Sequence, residues 1–213
     1  MSVRNRTFLE RIEQGLRTSL PGLAAQMRMA PDPHPRGQKS YLEAEPTCPK
    51  AGVLILLYER EGALFIPLTL RTDRLVHHRG QISLPGGEQH PGESLEATAV
   101  REAEEELGLD LSPALVLGRL TPLYIAPSNF CVYPIVAFFP GIPAIRPQPD
   151  EVAEVIVLPL DHVADPRHQQ REMWTLSDRT ASIPFFEFQG HKIWGATAMV
   201  LAEFLALLEL PPA

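Results

Sequence analysis

The chain has 213 residues, 45% of them hydrophobic, and carries a net charge of -7 with a sequence pI of about 5.5. That length can bury a full core in one generous domain. The acidic balance excludes general nucleic-acid binding but leaves room for a local site that holds an anionic small molecule.

No run approaches the roughly 18 apolar residues of a membrane span. The opening "MSVRNRTFLERIEQGL" lacks the apolar core of a secretory signal, so the expected location is the cytoplasm. Cys48 and Cys131 make neither a disulfide framework nor a zinc site, and two thiols in a reducing compartment are expected. The 22 prolines are about twice the ordinary share and are scattered, which marks them as turn and strand-end residues.

Along the chain, Phe8, Leu9, Ile12, Leu16 and Leu20 recur at helical spacing and predict an amphipathic helix over 6–20. "PDPHPRG" (31–37) breaks the pattern and reads as an arm, which sets 1–45 apart from a main domain over 46–213. "AGVLILLYER" (51–60) and "GALFIPLTLR" (62–71) read as a hairpin across Glu61-Gly62. Residues 72–85 look irregular around a short strand in "QISL". Ser94 to Leu107 is helical, with Ser94 as N-cap and Gly108 as the stop.

"ALVLGRLTPLYI" (114–125), "VYPIVAFFPG" (132–141) and "EVAEVIVLPL" (151–160) are strand-like. "GHKIWG" (190–195) adds a short strand or turn, and "GATAMVLAEFLALLEL" (195–210) a closing helix rich in apolar residues. Many strands with two or three helices make a mixed α/β layered domain. The N-terminal helix could cap this domain or pair with a second subunit, which leaves a homodimer open.

Seven glutamates crowd into residues 86–109: Glu88, Glu93, Glu96, Glu102, Glu104, Glu105 and Glu106. Such crowding costs stability by repulsion. On a helix Glu102, Glu105 and Glu106 share one face within an arc of about 100°, beside the stripe Ala99, Val100, Ala103 and Leu107 that should pack on a sheet. Glu104 points away and is expected in solvent. Arg101 can pair with Glu93 or Glu105. Three carboxylates beside a buried stripe suit Mg2+ or Mn2+, which prefer hard oxygen ligands. Pro85-Gly86-Gly87 allows backbone to lie close to the helix, where a carbonyl could also face the metal.

The spacing Gly87, Glu93, Arg101, Glu102, Ala103, Glu105, Glu106, Gly108, Leu109 resembles the Nudix box, G-x5-E-x7-R-E-U-x-E-E-x-G-U, where U is usually aliphatic. Every fixed position matches. Ala103 is smaller than the usual residue there and points to close helix–sheet packing. The resemblance implies an α/β/α sandwich with a mixed sheet and an enzyme that cleaves nucleoside diphosphates linked to another group. It implies metal ligands Glu102, Glu105 and Glu106, catalytic roles for Glu102 and Glu105, and supporting roles for Arg101 and Glu93.

Upstream, Arg71, Arg74, His77, His78 and Arg79 fall within nine residues of an otherwise acidic chain. The segment 68–87 is similar to the motif before the box in coenzyme A pyrophosphatases, L-L-T-x-R-[S/A]-x3-R-x3-G-x3-F-P-G-G. Leu68, Thr69, Arg71, Gly80, Pro85, Gly86 and Gly87 match. Pro67, Thr72, Val76 and Leu84 depart from it, with Arg74 and Arg79 on either side of the missing arginine. The resemblance implies substrate contacts from Arg71, Arg74, His78, Arg79, Gly86 and Gly87. Guanidinium groups suit the 3′-phosphate and pyrophosphate of coenzyme A through bidentate donation.

A late carboxylate, Glu151, is a candidate fourth ligand or base, beside Asp150 and Glu154. Two rival readings stand beside coenzyme A hydrolysis: a hydrolase of ADP-ribose, dinucleotides or nucleotide sugars, and a non-catalytic Nudix-fold sensor. The intact glutamate set argues against the sensor. In each enzymatic reading the partner is a small molecule, with neither nucleic acid nor membrane.

Overall fold

The computed structural model describes residues 3–34, 47–72, 80–176 and 179–209. Strand β1 (Lys50–Arg60) lies at the centre of an eight-stranded mixed sheet. It runs parallel to β7 (Phe130–Phe139), from Lys50 opposite Cys131 to Tyr58 opposite Phe139. It pairs antiparallel with β2 (Ala63–Arg71) through the predicted turn, where Glu61 and Gly62 both take positive φ. Short β4 (Gly86–Glu88) lies antiparallel to the start of β1. Strands β3 (Ile82–Ser83) and β8 (Val152–Pro159) pair with β2, while β5 (Leu115–Arg119) and β6 (Leu123–Ile125) pair with β7. A second, three-stranded antiparallel sheet holds β9 (Gln169–Thr175), β10 (Thr180–Phe188) and β11 (His191–Trp194) in the order β11-β10-β9.

The described helices are α1 (Val3–Arg17), α2 (Gly22–Gln26), α3 (Leu95–Leu107), α4 (Leu160–Ala164) and α5 (Gly195–Glu209). β1 explains the layering. Leu54 to Leu57 are all inaccessible to solvent, and alternate side chains leave a strand on opposite faces. Ile55 and Leu57 join Leu9 and Ile12 of α1 and Ala198, Leu201 and Phe204 of α5. Leu54 and Leu56 meet Ala99 and Ala103 of α3 with Ile135 and Ala137 of β7. A sheet buried on both faces reads as a continuous apolar run, and the result is the expected α/β/α arrangement. Each fully buried leucine contributes about 1.5–3 kcal/mol.

Several expectations shift. The first helix starts and ends earlier than 6–20. The strand expected over 114–125 splits into β5 and β6, with Pro122, which has no N–H to donate, in the gap. The 169–188 hairpin of the second sheet was not expected. β9, "QQREMWT", is exposed at six of seven positions and shows no alternation, and Pro184 interrupts the pattern of β10.

The two thiols are corrected as well: Cys48 and Cys131 form a disulfide, with their Cα atoms 5.7 Å apart. They are 83 positions apart in sequence. The parallel β1–β7 register brings them together, reinforced by the Cys131 N–H donating to the Pro49 carbonyl at 2.9 Å.

Glu203 on α5 is fully buried and anchors the N-terminal region. Its carboxylate accepts from the Gly22 N–H at 3.1 Å, the Gln26 side-chain amide at 2.7 Å and the Thr121 N–H at 3.1 Å. Among the described residues no helix is long and apolar enough to cross a membrane.

Candidate active site

Helix α3 is built at both ends as the sequence predicts. The Ser94 hydroxyl accepts from the Ala97 N–H at 3.1 Å, and Gly108 closes the helix in the left-handed region with φ 58°. Ala99 and Ala103 are fully buried against β1. A Cβ on Gly52 of β1 would lie 2.6 Å from the Leu95 carbonyl oxygen, so small residues on both sides set the close approach. This is the close packing that Ala103 foretold.

Arg101 organises the acidic face. Its Nε donates to Glu93 at 2.8 Å, and one terminal nitrogen reaches Glu102 at 2.7 Å and Glu105 at 3.3 Å. The other reaches the Glu88 carbonyl at 3.3 Å and Glu93 again at 3.2 Å. Glu93 also accepts from the Thr98 hydroxyl at 2.8 Å and the His90 N–H at 3.2 Å. The Arg101 guanidinium, with these donors, holds the Glu93 carboxyl down at about 2. Hydrogen bonds to the charged form favour that form. Glu93 thereby clamps the loop before the helix to the helix itself.

The three box glutamates occupy different surroundings. Glu106 is 3% exposed, Glu102 18% and Glu105 61%. Burial pushes the Glu106 carboxyl up to about 7; Arg71 pulls against this, and the nearby charges of Glu102 and Glu151 add to it. Arg71 lies 3.4 Å from Glu106, which joins the end of β2 to the helix. Glu106 Oε2 is buried and has no hydrogen-bond partner among the described residues. A Cβ on Gly87 would overlap the Glu102 carboxylate, so glycine there keeps the chain against that side chain. Gly86 supplies a backbone amide toward Glu106.

Glu151 is brought in by its loop. The Thr72 N–H donates to the Glu151 carbonyl at 3.0 Å and the Thr72 hydroxyl to the Asp150 carbonyl at 3.1 Å.

Arg71, Gly86, Gly87, Glu93, Arg101, Glu102 and Glu106 therefore meet at one end of the sheet. Glu105 sits at the rim and touches Arg101 only at longer range. Arg74, His77, His78 and Arg79 lie outside the described residues. Glu104 was expected in solvent and is half-buried instead: its carboxylate accepts from the Leu111 N–H at 2.7 Å and holds the chain after the helix. Glu96, which had no assigned role, pairs with Arg119. These two partners lie in loops or strands that helix periodicity does not reveal.

The donors suit a hard divalent cation. They are carboxylate oxygens, one of which is buried with no hydrogen-bond partner among the described residues, and Gly87 lets the backbone pack directly against a second carboxylate, Glu102. The three box glutamates are not drawn into one tight shell. Among the described residues, the group of three potential ligand atoms that lie within 4.8 Å of one another is His162, His168 and Glu187, elsewhere in the molecule. Arg71 and Arg101 hold the box carboxylates as ion pairs instead.

The NUDIX domain model matches residues 49–177. The chain is 33% identical over 172 residues to the peroxisomal coenzyme A diphosphatase of Mus musculus, covering 77% of this chain and 72% of that protein. It is 34% identical over 177 residues to the mitochondrial coenzyme A diphosphatase of Homo sapiens, covering 81% of this chain and 74% of that one. The chain belongs to the Nudix family and is a pyrophosphohydrolase. Enzymes of this family generally need divalent metal ions and act on small molecules.

Proposed function

We propose that this chain hydrolyses the pyrophosphate bond of coenzyme A to 3′,5′-ADP and 4′-phosphopantetheine, with Mg2+ or Mn2+. The observation that carries this reading is the contact between Arg71 and Glu106. It sets the segment that resembles the coenzyme A motif directly against the box helix. The two diphosphatase relatives support the same reading.

Glu102, Glu105 and Glu106 would hold the ion, with Glu151 as a further oxygen donor. An ion held there would supply positive charge against the pyrophosphate and lower the pKa of a bound water. Arg71 has a partly exposed guanidinium beside Glu106 and can donate to a phosphate oxygen. To Arg74, His78 and Arg79, which follow Arg71 in sequence and lie outside the described residues, we assign contact with the 3′-phosphate. Gly86 and Gly87, whose lack of side chains lets the loop lie against β1 and the Glu102 carboxylate, are assigned backbone contacts to the substrate. Arg101 and Glu93 keep the helix and its preceding loop in register. Glu105, at the rim, has the side-chain freedom to take the proton from water, and Glu151 is the alternative base. We place the catalytic unit at 46–213, with α1 and the Pro-rich arm as an extension.

Incubation with Mg2+ or Mn2+ and a panel of coenzyme A, dephospho-coenzyme A, ADP-ribose and NADH tests the proposal. Release of 3′,5′-ADP from coenzyme A, with lower kcat/KM on dephospho-coenzyme A, is expected. Preference for ADP-ribose or NADH would replace it with the rival hydrolase, and metal-independent inertness toward all four would replace it with a sensor.

The acidic balance supports an enzyme without a nucleic-acid partner, and the N-terminal sequence, with no apolar signal core, supports the cytoplasm, whereas the Cys48–Cys131 disulfide argues for a less reducing compartment. Thiol titration of protein taken from cells without reductant separates the two. Two free thiols support the cytoplasm, and none overturns it.

A further inference from the structure

We propose a second metal site, for a borderline divalent ion of the Zn2+ class, formed by His162, His168 and Glu187 and separate from the Nudix carboxylates. The three residues come from different elements. His162 lies in α4, His168 ends the 3-10 turn Pro166–His168, and Glu187 lies near the end of β10. Each offers one ligand atom, all within 4.8 Å of one another, and all three residues are partly buried.

Neighbouring groups hold His162 and Glu187 by side-chain hydrogen bonds, and His168 by its backbone. His162 Nε2 lies 2.8 Å from the Glu187 carbonyl oxygen. A carbonyl only accepts, so this nitrogen donates and the lone pair belongs to Nδ1. The ring packs edge-on against Phe188 with centroids 4.9 Å apart, and stacks on His168 at 3.5 Å with planes 19° apart. His168 is held by its turn: its N–H donates to the Asp165 carbonyl at 3.1 Å, and the Asp165 carboxylate accepts from the Arg167 N–H at 2.9 Å. Glu187 accepts from the Gly190 N–H at 2.9 Å through Oε1, which leaves Oε2 for a cation.

Ligand type selects the ion. Two imidazoles and one carboxylate suit Zn2+, Co2+, Ni2+ or Cu2+, whereas Mg2+ and Mn2+ favour all-oxygen shells. Three protein ligands leave a fourth position to water. Two nitrogens at a Zn–N distance of about 2.0–2.1 Å in a tetrahedral shell stand roughly 3.4 Å apart. The ligand atoms lie within 4.8 Å of one another, so the side chains must draw together and the stacked His162 and His168 rings must turn apart to hold the ion. The cluster follows Pro159, which pairs with Phe65, while Arg71 marks the other end of β2. Six residues of strand separate the two ends by about 20 Å. A bound ion would clamp the 160–168 segment to the β10–β11 hairpin.

The full chain carrying Glu102→Gln and Glu106→Gln, stripped with chelator, provides the test because its Nudix site is disabled. Calorimetric titration should show one Zn2+ bound per chain and no response to Mg2+. Adding His168→Ala, or separately Glu187→Gln, should weaken Zn2+ at least about tenfold, since even outer-shell partners of metal ligands matter that much. Circular dichroism checks that each variant is folded. Co2+ added to the parent double variant needs no ligand substitution, and it should give the visible bands of a nitrogen-bound ion of low coordination number. Absence of Zn2+ binding in the parent, absence of those bands, or unchanged affinity in the folded His168 and Glu187 variants would overturn the site.

Discussion

The two ends of the β2–β8 pair solve the same electrostatic problem differently. At the Arg71 end, carboxylates crowd together and guanidinium groups neutralise them: Arg101 binds Glu93, Glu102 and Glu105, and Arg71 binds Glu106. At the Pro159 end, two imidazoles and a lone carboxylate gather without any arginine in the group. In the first arrangement ion pairs hold the carboxylates, and on the proposed function a cation and an anionic substrate would take the place of those pairs. The second has its potential ligand atoms within 4.8 Å of one another, with His162 and Glu187 hydrogen-bonded to backbone. On the two proposals, the first site exchanges ion pairs for ligands, whereas the second draws together donors that are already neighbours.

The largest break in this comparison should come from Glu106→Gln. Turnover of coenzyme A with Mg2+ should fall by about a thousandfold or more, as for loss of a group that stabilises transition-state charge. His168→Ala should leave the same rate within about twofold, and equal losses in both variants would erase the distinction between the two ends. Next, Gly87→Ala pushes a methyl group into the Glu102 carboxylate. About a hundredfold lower kcat with a nearly native Tm is expected, because misplaced ligands cost geometry more than stability. Native activity in that variant would mean that Glu102 can move freely.

A third effect is on stability in chelator. The Glu106 carboxyl is raised from 4.5 to about 7 in the folded chain. Between those pH values the folded state keeps a proton that the unfolded state releases. Stability is therefore fully present below about 4.5 and declines as pH rises to about 7. The slope amounts to on the order of 3 kcal/mol across the window. Urea titrations across this range should show it in the metal-free parent and not in Glu106→Gln. The smallest effect concerns Glu104. Removing its carboxylate with Ala frees the Leu111 N–H and should cost about 1 kcal/mol, with hydrolysis unchanged.

The box helix was readable because its logic is local. Ser94, the alanine stripe, the acidic face and Gly108 all lie within one helix and its caps, and Ala103 even announced the close approach to β1. The central hairpin was readable for the same reason, since apolar runs flank a Glu-Gly turn. What escaped depends on partners distant in the chain. Glu104 looked solvated because Leu111 lies beyond the helix, where the 3.6-residue period no longer applies. Cys48 and Cys131 looked separate because parallel pairing of β1 and β7 leaves no sequence signal. β9 was invisible because an exposed edge strand has no apolar face to display. His162, His168 and Glu187 form no spaced motif, since a helix, a turn and a strand each contribute one residue.

Glu203 bears on where this molecule can be cut. The family match begins at residue 49, which invites a shortened chain without the first helices. Two of the groups that satisfy the fully buried Glu203 carboxylate, the Gly22 amide and the Gln26 side chain, lie before that point. Trimming there would remove two of that carboxylate's three donor residues together with the helices packed on α5, and would bare apolar residues such as Leu201 and Phe204 to water. The boundary drawn by ancestry and the boundary drawn by packing and hydrogen bonding are different, and the second governs whether a fragment survives.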